Sequence, residues 1–164
     1  MSFDKGQSLP ADLETLLERC FDSLQKGDLE VARQGYLLIL AQWPDQTDAI
    51  YFLGVIAFQQ GDLAQAEKFI SEAIQADDTD ATRWLSLGAV YDARGELNNA
   101  AHAYRSALEA EPTLADAAYN LAITLEQNGE EIEAEATYQR FLNLEPNDAI
   151  AWCNYGALLK KMNR

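Results

Sequence analysis

Histidine is nearly missing from this chain, and that scarcity removes most site chemistry at the outset. His102 stands alone among 164 residues. With Ala101 and Ala103 on either side it reads as a surface histidine, and no Ser-His-Asp or Cys-His set assembles around it. Cysteine is almost as rare. Cys20 and Cys153 fall in the first and last helical stretches, too far apart for a disulfide or for zinc-ligand spacing, and a reducing cytoplasm is expected. Basic residues are few: 12 Lys and Arg against 27 Asp and Glu, for a net charge of −15. Nucleic acid and anionic membrane surfaces reward clustered cations, so both are excluded as partners. A charge of this size keeps the chain soluble and steers basic partners toward it. No window approaches the ~20 apolar residues of a membrane span, and the polar start Met1 to Pro10 lacks a signal-peptide core.

Further absences narrow the reading. No stretch alternates with period two, so no sheet is expected. Every glycine stands apart from the others, which leaves no phosphate-cradling loop. The acidic run Asp77, Asp78, Asp80 has neither the turn glycine nor the closing glutamate of a calcium loop and reads as a turn between repeats. Glu130, Glu131, Glu133 and Glu135 read as the acidic start of a helix. The sequence offers no catalytic constellation, no metal ligand set and no cofactor motif, so a non-enzyme is expected.

What the chain does contain is a period. Ala32, Ala66, Ala100 and Ala134 are each 34 residues apart, and Gly27, Gly61, Gly95 and Gly129 keep the same interval. Pro44, Pro112 and Pro146 keep it too, with Asp78 in the remaining slot. A fixed period of this size marks a stacked repeat array. The repeats run 13–46, 47–80, 81–114 and 115–148, with a remnant at 149–164 and a flexible start at 1–10. In each, two helical stretches flank the glycine, which can take the left-handed conformation that ends the first helix. Asp28 and Asp62 follow that glycine and are placed to cap the second helix. The closing proline stops the second helix and turns the chain into the next hairpin.

A rotation of ~100° per residue assigns the faces. Positions 4, 7, 8 and 11 of each repeat share one arc: Ile50, Leu53, Gly54 and Ala57; Trp84, Leu87, Gly88 and Tyr91; Ala118, Leu121, Ala122 and Leu125. The small third member permits close helix approach, and the aromatics Trp84, Tyr91 and Tyr104 are expected in the core. Tyr36, Ile70, Tyr104 and Tyr138, at position 24, are expected to fill the gap between repeats.

Trp84, Leu87, Gly88 and Tyr91, followed by Ala100, Tyr104, Ala107 and Pro112, carry a family pattern: repeat three resembles the tetratricopeptide repeat at nearly every signature position. Repeats two and four match most positions, and repeat one only its second half. The resemblance covers residues 13–164. It implies an all-α solenoid, a right-handed superhelix of about four helix-turn-helix repeats closed by a capping helix at 149–163.

The ends differ from the middle. In repeat one Arg19 and Ser23 sit at usually apolar positions, and Leu13, Leu16, Leu17, Cys20, Phe21 and Leu24 centre roughly 80° from the usual face. This helix either caps the stack or offers an apolar patch for self-association or docking. At 149–164 a first helix stands without its second. Trp152, Tyr155, Leu159 and Met162 form a stripe that is only partly covered, and Lys160, Lys161 and Arg164 give a basic finish. Either this is a solvating cap, or the chain is the amino-terminal piece of a longer protein. A homo-oligomer through the first or last helix is one expectation.

The resemblance also implies a site. In tetratricopeptide arrays the first helices line a concave groove that holds a partner peptide. Here that groove would present Asp48, Tyr51, Val55 and Phe58, then Leu85 and Asp92, then Asp116, Tyr119, Asn120, Ile123 and Glu126, and finally Asn154. Tyr51, Phe58 and Tyr119 are large groups that packing does not require, typical of binding anchors. The asparagines Asn120 and Asn154 match the residues that bond a peptide backbone in O-GlcNAc-transferase-like arrays, while Phe52 and Ser86 break that ladder. The cations that clamp acidic chaperone tails are missing: Tyr51, Val55, Thr82, Leu85 and Ala89 stand there instead. The expected ligand is an extended or helical peptide with apolar anchors and neutral-to-basic character. Three functions follow as expectations. The first is a non-catalytic interaction scaffold. The second is a secretion-type chaperone, and the third the targeting domain of a larger glycosyltransferase- or sulfotransferase-like enzyme, suggested by the stretch Asp48 to Gly61.

Overall fold

The computed structural model describes residues 11–163. The flexible start expected at 1–10 lies outside the described residues, as does Arg164. Among the described residues the chain forms helices only. They run α1 (Ala11–Gln25), α2 (Leu29–Gln42), α3 (Thr47–Gln59), α4 (Leu63–Ala76), α5 (Ala81–Ala93), α6 (Leu97–Ala110), α7 (Ala115–Gln127), α8 (Glu131–Leu144) and α9 (Ala149–Lys161). The chain divides into two compact halves at Asp78/Thr79.

The turns follow from the repeating glycine. Gly27, Gly61, Gly95 and Gly129 all have φ between +74° and +81°, a conformation that costs other residues strain. At Gly95 the chain closes the first helix in the manner of a Schellman turn. Gly95 N–H donates to the Asp92 carbonyl, and Glu96 N–H donates back to Tyr91, both at 2.9 Å. The second helix then starts at once. Asp62 accepts from the Gln65 amide at 3.1 Å, as a capping carboxylate should. Asp28 occupies the same capping position without a side-chain bond. Asp80 and Asp148 cap α5 and α9 through Thr82 N–H at 2.9 Å and Ala151 N–H at 2.7 Å. Helices α2, α6 and α8 each stop two residues ahead of a proline.

In the N-terminal half, α1 pairs with α2, α3 pairs with α4, and α2 packs on α3. Leu13, Leu17, Cys20 and Leu24 of α1 are buried with Ala32, Tyr36, Ile39, Leu53 and Ile56 in one cluster. The displaced apolar face of α1 is therefore used internally, against α2. The exposed aliphatics lie on α2 instead, at Val31, Leu37 and Leu38. Repeat one also moves its small residue. Its position 8 holds Cys20 where later repeats hold Gly54, Gly88 and Ala122, and the space comes from Gly35 on α2, where a Cβ would collide with the Cys20 sulfur. The bulk has changed sides and the interhelical gap is kept.

In the C-terminal half α5 pairs with α6, α7 pairs with α8, α6 packs on α7 and α8 on α9. Its core joins Ala100, Tyr104, Leu121, Leu125, Tyr138, Phe141 and Leu158. Position 8 does what the spacing predicts. A Cβ on Gly54 would lie 2.6 Å from Ile70, and one on Gly88 would run into the Tyr104 ring. Trp84 and Tyr91 correct the expectation of full burial. They are half-buried and packed on the edge of the core.

Candidate functional site

The expected groove residues divide by half. On α3, Tyr51 is buried, at 9% exposure, and this corrects the view that packing does not need it. Its ring lies 5.1 Å from Phe52. Phe52 in turn stacks on Tyr36 at 5.4 Å and meets Phe21 at 5.4 Å. These four rings form an aromatic cluster across α1, α2 and α3 that periodicity missed. Val55 and Phe58 are half-buried, with Val55 packed on the same core, and Asp48 is half-buried in the first turn of α3.

Tyr36 pays for this setting. It is fully buried and its hydroxyl has no hydrogen-bond partner. Burial, followed by the neighbouring Cys20 and Asp48, raises its pKa above the usual tyrosine value. Burial likewise raises that of the Cys20 thiol.

On α5, α7 and α9 the expected residues are more open. Leu85, Tyr119 and Ile123 are half-buried, each packed on the core at one side. Tyr119 is fixed from two directions. Its ring meets Phe141 at 5.1 Å, and its hydroxyl accepts from Asn154 Nδ2 at 3.1 Å. Asn154 thus holds a side chain of the preceding repeat. The Asn120 side chain is half-exposed, while its carbonyl accepts from Thr124 Oγ1 at 2.9 Å. Asp116 is exposed.

Two of the acidic residues have internal work. Asp92 accepts from the Tyr104 hydroxyl at 2.7 Å and from Thr124 Oγ1 at 3.1 and 3.2 Å. Glu126 accepts from the Tyr138 hydroxyl at 3.0 Å. Burial, then these carboxylates, raise the pKa of Tyr104 and Tyr138, which stay neutral donors. Asp92 and Glu126 therefore tie each first helix to its own second helix, and Asp92 reaches α7 as well.

His102 is exposed, with its ring 6.5 Å from Trp84. Cys20 is buried and Cys153 exposed, both as free thiols. Among the described residues no group of three or more His, Cys, Asp or Glu is placed to hold a metal ion, and no helix is long and apolar enough to cross a membrane.

With this geometry in hand, family models match over most of the chain. The middle TPR-like domain of cilia and flagella-associated protein 70 matches residues 62–164, and a tetratricopeptide-repeat model matches residues 23–90. The chain belongs to the tetratricopeptide-repeat family. Solved tetratricopeptide structures share the fold. A crystal structure of MamA superposes with a TM-score of 0.82 at 21% identity, over 92% of this chain and 82% of that one. YrrB, a tetratricopeptide protein with an unusual peptide-binding site, gives 0.79 at 18% identity, over 90% and 76%. The fold is therefore the all-α repeat solenoid of that family. In sequence, cellulose synthase 1 operon protein C of Komagataeibacter xylinus is 33% identical over 64 residues, 39% of this chain but only 5% of that protein. The chain thus spans a small fraction of that relative's length.

Proposed function

We propose that the chain is a non-catalytic interaction module that holds a peptide or partner-protein segment on the first helices of its repeats, above all on α5, α7 and α9. The observation that carries this reading is Tyr119. A half-exposed aromatic, clamped by Phe141 and Asn154, loses little freedom when it meets a ligand. Leu85 and Ile123 add apolar area, and exposed Asp116 adds negative charge. The ligand is a segment with apolar anchors and neutral-to-basic character. The free thiols suit a reducing cytoplasm.

The secretion-chaperone reading draws on a different feature, the exposed aliphatics Val31, Leu37 and Leu38 of α2. One titration separates the two. A leucine- and arginine-containing peptide should bind at least tenfold more tightly than an acidic tail ending in EEVD, and Tyr119→Ala should weaken it. Equal binding of the two peptides, or tighter binding of the acidic one, overturns the charge argument. Binding that falls with Leu38→Ser and ignores Tyr119→Ala favours the chaperone reading.

A further inference from the structure

Position 2 opens the first helix of each repeat, and along the chain it reads Glu14, Asp48, Thr82, Asp116 and Ile150. Four of these residues are polar and the fifth is aliphatic. An acid at this point suits the positive end of the helix macrodipole. Folding asks for no aliphatic residue there. Asp148 already caps α9 through the Ala151 N–H at 2.7 Å, and Ile150 stands 67% exposed outside the core cluster. Position 2 is open whether or not a repeat follows: Thr82 and Asp116 hold it on α5 and α7, each with a further repeat behind it, and both are exposed.

Ile150 is continuous with the surface that carries Tyr119. It lies one turn ahead of Asn154 on the same face of α9, and Asn154 Nδ2 donates to the Tyr119 hydroxyl at 3.1 Å. On α7, Asp116 and Ile123 flank Tyr119 at i−3 and i+4. The polarity changes from one helix to the next. Asp116 is exposed, whereas Asp92 and Glu126 at the far ends of α5 and α7 accept from tyrosines. Helix α9 holds no acidic residue. To one side of Tyr119 the surface therefore offers a carboxylate, and to the other an aliphatic group.

We propose that Ile150 is a specificity-determining residue of this surface. The segment it selects sets a basic residue against Asp116 and an aliphatic residue, in place of a second basic one, against Ile150. This inference rests on the peptide-binding reading above and narrows its ligand to an amphipathic segment. A cation laid on Ile150 gives up water and gains no partner. An aliphatic side chain there takes apolar surface out of water on both members. At Asp116 the preference runs the other way.

The test uses the full chain and two peptides: the leucine- and arginine-containing peptide, and a version with every leucine replaced by arginine. The unmodified chain should bind the mixed peptide about threefold or more tightly than the all-arginine one at ~0.15 M salt, where long-range attraction to the acidic chain is screened. Ile150→Asp places at position 2 the residue that repeats two and four carry, so the melting temperature should hold while the order of the two peptides reverses. Raising the salt from ~20 mM to ~0.5 M should erase the loss of affinity caused by Asp116→Asn and leave intact the loss caused by Ile150→Ser. Tighter binding of the all-arginine peptide to the unmodified chain would overturn the inference. A preference that ignores Ile150→Asp, with binding still lost in Tyr119→Ala, would overturn it and leave the peptide surface standing. Binding that ignores Tyr119→Ala as well would overturn both.

Discussion

The two halves solve one packing problem with different chemistry. In repeats three and four an acid at position 12 faces a tyrosine at position 24, and Asp92–Tyr104 and Glu126–Tyr138 are hydrogen-bonded pairs. In repeat two the same positions hold Phe58 and Ile70, so no polar group needs a partner. Repeat one is the mismatch. Leu24 stands opposite Tyr36, and the Tyr36 hydroxyl is buried unpartnered. The repeat accepts either a polar or an apolar pair at these positions, provided both members change together. Where they did not, a buried donor is left at a cost. The contrast extends to the first helices. The N-terminal half sinks Tyr51 and Phe52 into an aromatic cluster, while the C-terminal half keeps Tyr119 at the surface and clamps it.

The largest effects are expected where position 8 is filled in one repeat and empty in another. Gly88→Ala drives a methyl into the Tyr104 ring and should destabilise by about 1–3 kcal/mol. Gly156→Ala, the equivalent change on α9, meets open space and should stabilise by about 0.5–1 kcal/mol through helix propensity. Denaturant unfolding of both variants checks the pair, and a shared sign would break the assignment of α9 as an uncovered first helix. A smaller contrast tests the hydroxyls. Tyr104→Phe should cost about 1 kcal/mol, since Asp92 keeps its Thr124 bond. Tyr36→Phe removes a hydroxyl that has no partner and should be neutral or stabilising. Thermal melts decide it, and a larger loss for Tyr36→Phe would mean that its hydroxyl is satisfied.

Most of the fold was legible in the sequence because the period fixes both turns and faces. The spacing of Gly27, Gly61, Gly95 and Gly129 located four left-handed turns. Position 24 located the buried Tyr36, Ile70, Tyr104 and Tyr138. The candidate surface was legible only in part, because helical rotation orders side chains around one axis and says nothing of the angle to the next hairpin. That angle lets Phe52 reach Tyr36 and Phe21 and takes Tyr51 down with it. The acid–tyrosine pairs did leave a trace: the acids at position 12, Asp92 and Glu126, occur only in repeats with tyrosine at position 24. Read as groove charge, these acids hid their structural work. The Tyr119–Asn154 bond spans 35 residues and joins two residues expected to face a ligand separately.

The central claim is that the first helices of the C-terminal half, and not the second helices behind them, meet the ligand. Amide shift mapping on the isotope-labelled chain, titrated with the leucine- and arginine-containing peptide, tests it most directly. The largest changes should fall at Leu85, Tyr119, Asn120, Ile123 and Asn154. Changes confined to α6 and α8, or to Val31 and Leu38 of α2, would contradict it.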